Sequence, residues 1–500
     1  MKDINGKMNV ADASAGSLLL SLIPIVVLVL MMVLSVSLFG SDALYGSSQV
    51  SLLTATAVCV CISMWYNKNT WKELESGIAH TIKDSSASIV ILVIIGMMSA
   101  SWMISGIVPT LIYYGVRIMS PMFFLVASCL ICAVVSLMTG SSWTTVATIG
   151  VALLGIGTAL GIPVGWSAGA IISGAYFGDK ISPLSDTTIL ASAMADVNIF
   201  THIKYMLRTT TPSMTITLVV FLIAGFVIGS DGEIMTDQYT TIIAGKFNVS
   251  LWTLVVPVVT GIMIAKKVPS LITLFLSSIL AGITALMLQP DILREISGNE
   301  FTGWQQLVKG LILTFATDTN IETGNELING LVSTGGMYGM MPTIWLILCA
   351  MCFGGVMMAS GMLHTISNAI VKHIKSRANL VSSSVLTGLL GNILTCDQYM
   401  SIILTVNAFK DVYDKKGYDR KLLSRSTEDG VTVTSVLIPW NSCGMTQATV
   451  LGVPTLIYLP FCVFNYVSPL MSIIYGIAGW GIKRKPTAET DAIAIEHDMK

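Results

Sequence analysis

The sequence predicts an all-α polytopic membrane protein with two inverted-topology repeats, each holding a re-entrant helical hairpin and a broken transmembrane helix. About ten spans plus two hairpins are expected. Three observations carry this. Hydrophobic residues make up 53% of the chain and charged residues 11%, where soluble domains carry roughly 25% charged; mean hydropathy is +0.77. Ionisable residues still interrupt apolar stretches beside glycine and proline, above all from Gly174 to Asp196, GAYFGDKISPLSDTTILASAMAD. A series of short motifs also recurs, in the same order, in the second half of the chain.

Apolar runs long enough to cross a bilayer, roughly 20 residues each, lie near 18–39, 47–65, 84–106, 164–197, 212–229, 249–265, 268–288, 340–365, 426–450 and 455–482. The first follows Lys2 and Lys7. It exceeds a signal-peptide core of roughly 7–15 residues and has no evident cleavage site, so it reads as an uncleaved span. Bases collect at 66–83 (Lys68, Lys72, Lys83), 198–211 (Lys204, Arg208), Lys266–Lys267, 372–377, 410–425 and Lys483–Lys485. The segments 40–46, 230–248 and 289–303 carry acids and few bases. The positive-inside rule then places both termini in the cytoplasm.

Two further runs, 121–160 and 380–410, read differently. Lys372, Lys375 and Arg377 precede the second run, and Lys410, Lys415 and Lys416 follow it. A single crossing would put these bases on opposite faces, so 380–410 should enter and return, with its tip at Thr395-Cys-Asp-Gln-Tyr399. A non-helical tip at membrane depth is tolerated only where it is buried in protein or lines a cavity.

Internal repetition gives 121–160 the same reading. Glu73-Leu-Glu-Ser-Gly77 pairs with Glu326-Leu-Ile-Asn-Gly330, Ser105-Gly106 with Ser360-Gly361, and Thr139-Gly-Ser-Ser-Trp143 with Thr395-Cys-Asp-Gln-Tyr399. Ile-Ser-Pro183-Leu-Ser-Asp pairs with Leu-Ile-Pro439-Trp-Asn-Ser. The offset grows only from 253 residues (Glu73 to Glu326) to 256 (Gly174 to Gly430). An odd number of crossings between corresponding spans makes the units inverted, the architecture of secondary transporters. The organisation is 1–72, a two-span segment; 73–197, the first repeat core (hairpin 121–160, broken helix 164–197); and 198–325, connecting spans. Then come 326–452, the second core (hairpin 380–410, broken helix 426–450), and 453–500, a last span and cytoplasmic tail.

Other classes find little support. The nine cysteines fall mostly in apolar runs without a second ligand pair, which suits packed thiols rather than a metal site. No Walker pattern appears. Tyr176 stands where an intramembrane aspartyl protease would need glycine, and no Ser–His pairing is suggested, so an enzyme is not expected. A passive channel would lack counter-ion coupling. No cofactor and no nucleic-acid partner is expected.

The site should form where four non-helical elements converge: the tips 139–143 and 395–399, and the breaks 178–186 and 438–444. An ionisable residue inside a membrane is costly and marks function. Pro183 removes a backbone donor and disfavours helix at Ser182, freeing amides and carbonyls at the gap. Thr139, Ser141, Ser142, Ser182, Ser185, Thr187 and Asn441 offer neutral oxygens, the ligand type that hard cations take. Asp186 and Asp397 are the leading ion-binding and proton-carrying residues and the expected Na+ ligands. Asp186 also suits an N-cap for a helix 187–197. Asp179 is a further candidate, alternatively neutralised by a nearby base. Glu428 and Asp429 are candidates too, alternatively a solvated helix start beside Arg425. A carboxylate withdrawn from water is costly as a bare charge, and either a proton or a bound cation relieves that cost. One group can thus hold either, which is enough for an exchanger.

At Gly-Asp-Lys-Ile-Ser-Pro-Leu-Ser-Asp-Thr-Thr (178–188), Thr-Gly-Ser-Ser-Trp (139–143), Asp-Gln-Tyr (397–399), Ser-Arg-Ser-Thr-Glu-Asp-Gly (424–430) and Ile-Pro-Trp-Asn-Ser-Cys-Gly (438–444), the chain resembles the NhaC-type sodium/proton antiporter family. That family also includes exchangers of malate for lactate. The resemblance runs from about residue 73 to 470. It implies a bacterial inner-membrane protein exchanging Na+ for H+ across the cytoplasmic membrane. The alternative is a Na+/H+-coupled exchanger of small carboxylates; a dedicated arginine at the site would favour it.

Overall fold

The computed structural model describes residues 15–39, 46–228, 233–298, 301–372, 374, 376–482 and 484. The chain ends, and with them Lys2, Lys7, Lys375, Lys483 and Lys485, lie outside the described residues.

The protein is an all-α, multi-pass membrane protein. Among the described residues nine helices are long and apolar enough to cross a bilayer, and up to eleven if each of two bent pairs is one span. The helices Ala15–Phe39, Ser47–Trp65 and Ser270–Leu288 follow the apolar runs within a few residues. Elsewhere helices outrun the apolar signal. Trp71–Ile104 starts inside the expected basic loop 66–83, because Thr70 and Glu73 form a capping box: the Thr70 hydroxyl accepts from Glu73 N, and Glu73 Oε2 accepts from Thr70 N at 3.0 Å. Likewise Ile199–Ile228 absorbs the expected loop 198–211, together with Lys204, Arg208 and the internal Pro212. Backbone hydrogen bonding continues past the apolar stretch, and hydropathy alone does not mark where it ends. Pro290–Ser297 is a helix inside the expected loop 289–303, and Trp304–Ala316 is a helix where no apolar run was expected.

The two halves share local geometry. Trp71–Ile104 ends at Gly106 with φ 82°, and Met341–Ala359 ends at Gly361 with φ 75°. Left-handed backbone of this kind favours glycine.

Each half then carries a helix that turns back on itself. Pro121–Thr139 runs to a tip at Gly140, and the chain returns through Ser142–Thr145, the π-helical turn Val146–Gly150 and Val151–Ala159. By Gly157 it is again against the Phe124 ring. Arg377–Thr395 reverses at Cys396 into Gln398–Lys415. There Gly391 faces Ser401, and the Ser384 and Tyr413 hydroxyls meet at 3.1 Å.

Beside each reversal lies an interrupted helix parallel to its first arm. Val164–Ile181 breaks at 182–185 and resumes as Asp186–Met194. Arg420–Thr427 continues through the π-helical turn Glu428–Thr432 and a 3-10 turn, Ser435–Leu437, to Ser442–Leu451. Glycine allows the close approach in both: a Cβ on Gly174 would stand 2.0 Å from the Cys129 carbonyl oxygen, and one on Gly430 2.5 Å from that of Val385. The fold ends with Thr455–Phe461 and Val463–Ala478, bent by 55° at Cys462.

Candidate functional site

The two tips are built alike. Gly140 (φ 68°) and Cys396 (φ 57°) are left-handed, and an extended residue follows each: Ser141 or Asp397. That residue caps the next helix. Ser141 Oγ accepts from Thr144 N at 3.2 Å; Asp397 Oδ1 accepts from Tyr399 N at 2.9 Å and Met400 N at 3.0 Å. A threonine before each tip closes the turn. Thr139 donates to the Ser141 carbonyl at 3.2 Å, and Thr395 to the Asp397 carbonyl at 2.8 Å.

The breaks also match. Ser182 is extended before Pro183, and its hydroxyl donates to the Leu137 carbonyl at 2.9 Å, pinning the break to the first tip. In the second unit Trp440 Nε1 donates to the Ile393 carbonyl at 3.0 Å, and Asn441 Nδ2 to that of Asn392 at 3.1 Å. Ser185 and Asn441 then cap the resumed helices. The N-cap is therefore Ser185, which accepts from Thr188 N at 3.4 Å and meets Thr187 Oγ1 at 3.0 Å; Asp186, expected in that role, is the first helical residue. Of the seven neutral candidates, Thr139, Ser141, Ser182, Ser185, Thr187 and Asn441 hold the turns in shape.

The seventh, Ser142, joins tip to break. Its backbone N–H and hydroxyl donate to Asp179 Oδ2 at 3.0 and 2.7 Å. In the second unit the roles reverse: the carboxylate is on the tip, and Ser442 Oγ from the break donates to Asp397 Oδ2 at 3.2 Å. Both carboxylates are buried, at 6% and 3% exposure. Asp186, by contrast, is exposed. A cavity lined by Thr81, His364, Thr395, Met400 and Asn407 lies beside the second tip.

The Lys next to Asp179 does not neutralise it. Lys180 is fully buried and pairs instead with Asp429 of the second broken helix, donating also to Ser468 Oγ at 2.8 Å. Ser468 Oγ donates to Asp429 Oδ1 at 2.8 Å, and Thr209 Oγ1 to Asp429 Oδ2 at 3.3 Å. This ion pair ties the two broken helices together. Glu428 and Asp429 are not a solvated helix start: both are 0% exposed, as is Arg425. Arg425 Nε stands 3.9 Å from Asp429 Oδ2, and its guanidinium, 5.3 Å from the Tyr205 ring centre, makes no hydrogen bond among the described residues. His202 Nδ1 meets Ser424 Oγ at 2.8 Å.

Sequence reasoning missed Thr209, His202, Ser468 and the pairing of Lys180. The signal for Ser468 was present: Asn465, Ser468 and Ser472 form a buried polar stripe at helical spacing inside an apolar run. Beyond the first broken helix, exposed Asp196 meets Lys410 Nζ at 2.6 Å and also pairs with Arg420. These bases hold its carboxyl below the usual range, Lys410 foremost.

A family model described as "Na+/H+ antiporter family" matches residues 174–480, a stretch that holds both breaks and the second tip. The Na+/H+ antiporter NhaC of Bacillus subtilis (strain 168) is 35% identical over 87% of this chain and 93% of its own length. The malate-2H+/Na+-lactate antiporter of the same organism is 36% identical, over 82% of this chain and 85% of that protein. The arginine/ornithine antiporter ArcD of Halobacterium salinarum is 35% identical over 94% of each. On the family match and on relatives aligned over nearly their whole length, this chain belongs to the Na+/H+ antiporter family.

Proposed function

We propose that this protein is a secondary active transporter exchanging Na+ for H+ by alternating access, in a bacterial cytoplasmic membrane with both termini inside. One observation carries the reading: Asp179 and Asp397 are buried, each is clamped by a serine across a tip–break junction, and neither has a basic partner among the described residues. A bare carboxylate so placed is costly, and a proton or a Na+ ion relieves the cost. Asp179 with Ser142, and Asp397 with Ser442, supply the oxygen ligands a hard cation takes. Exposed Asp186 is the carboxylate through which ions reach the pair. The two units, read as inverted repeats, rock about the shared site to expose it to each face in turn. Na+ and H+ are cargo, and no cofactor enters the cycle.

A second reading couples the same ions to a small carboxylate. Arg425 favours it, as a buried guanidinium whose nitrogens make no hydrogen bond among the described residues and whose fork geometry fits a carboxylate. Purified protein in liposomes separates the two. An imposed Na+ gradient should move protons with no organic solute present. Proton movement that requires malate, lactate or another organic solute would select the second reading.

A further inference from the structure

Buried charge is unbalanced in this protein. Among the described residues the buried aspartates and glutamates are Asp179, Asp397, Glu428 and Asp429, and the buried lysines and arginines are Lys180 and Arg425. Lys180 and Arg425 both face Asp429, so the deficit falls on the other three acids. Asp179 and Asp397 are at least hydrogen-bonded. Glu428 is not: it is 0% exposed, and neither carboxylate oxygen has a hydrogen-bond partner among the described residues. A buried group left in that condition is rare and suits a role in binding.

The surroundings of Glu428 narrow the ligand. It opens the π-helical turn Glu428–Thr432, an irregularity frequent at functional sites. The Thr432 hydroxyl sits beside its carboxylate without closing a hydrogen bond. Just past the same turn Asn465 donates to the Val433 carbonyl at 2.6 Å, and its buried Oδ1 has no partner among the described residues. The unpartnered acceptors are a carboxylate, a hydroxyl and an amide oxygen. All are hard oxygen donors, suited to a hard cation. The neighbour of Glu428 in the chain is Asp429, which Lys180 of the first broken helix holds. Arg425 stands against Asp429, and His202 against Ser424.

We propose that the π-helical turn Glu428–Thr432 is a second Na+ site, with Glu428 and Thr432 as ligands and Asn465 closing it from the neighbouring helix. It is separate from the tip–break site of Asp179 and Asp397. The inference rests on the Na+ exchange reading and adds to it: two exchangeable cations occupy the protein, matching the net buried charge of four acids against Lys180 and Arg425. Asp429 is not a ligand, because Lys180 holds it.

Equilibrium binding of 22Na+ to the purified full-length protein tests this, with gel filtration reporting on folding. The wild type should bind two Na+ per chain at saturation. Glu428→Gln should bind one, and Asp397→Asn should bind the other one. Thr432→Val, a milder change, should keep both sites and weaken one roughly tenfold, the scale of a single lost ligand; it decides the matter if Glu428→Gln misfolds. Wild-type stoichiometry and affinity in Glu428→Gln, or in Thr432→Val should Glu428→Gln misfold, would overturn the second site, as would a wild type that binds only one Na+. No saturable Na+ binding in the wild type would contradict the exchange reading itself, and this site with it.

Discussion

At the scale of single residues, the decisive distinction is between carboxylates that have a cation and those that do not. Asp429 has Lys180, two hydroxyl donors and no exposure. Removing one partner of such a buried pair typically costs 3–5 kcal/mol. Lys180→Ala should therefore lower the yield of folded protein sharply, even though Arg425 still faces Asp429; thermal unfolding in detergent checks it. Residue types and motifs in the sequence pointed to all four buried acids, because charge inside an apolar run stands out. They did not reveal which acid was already neutralised. Lys180 and Asp429 are 249 positions apart, and the nearer acid, Asp179, is adjacent to the lysine yet bonds a serine instead.

At the scale of elements, tips and breaks follow from short-range chemistry, which is why they were legible. Thr-Gly-Ser and Thr-Cys-Asp each place a left-handed residue before a capping side chain, and proline marks each break. The helix ends were less legible, since Trp71–Ile104 and Ile199–Ile228 extend well past their apolar cores. Pro183→Ala should let helix extend through 182–185; folding should survive while apparent Na+ affinity in transport drops several-fold. Packing gives a sharper contrast. Gly430→Ala forces a Cβ to 2.5 Å from a backbone oxygen, and overpacking of this kind costs about 1–3 kcal/mol. Gly261→Ala meets nothing within 4 Å among the described residues and should be neutral or stabilising by up to about 1 kcal/mol. Differential melting of the two variants reads this directly. The Asp196 clasp is exposed and should matter little to stability. Its depressed carboxyl adds stability above the unfolded value and loses it as pH falls through the folded value, so the clasp should persist in mild acid. Lys410→Gln should raise that carboxyl, as site-specific NMR titration would record.

At the scale of the whole molecule, two similar units meet across their broken helices, with Lys180–Asp429 as the direct tie. A re-entrant 380–410, if that segment enters and returns, predicts that Lys372→Cys and Lys416→Cys, in a background without native thiols, react with an impermeant reagent from the same side. Labelling from opposite sides would separate the arms of the second hairpin and remove Asp397 from mid-membrane. The central claim is that a carboxylate at the tip–break junction carries Na+ and H+ in turn. Sodium-driven proton movement by Asp397→Asn in liposomes tests it most directly, since asparagine keeps the size and capping ability of aspartate while removing the charge and the proton. The account predicts normal insertion with exchange lost across the pH range; exchange at the wild-type rate and wild-type pH dependence would contradict it.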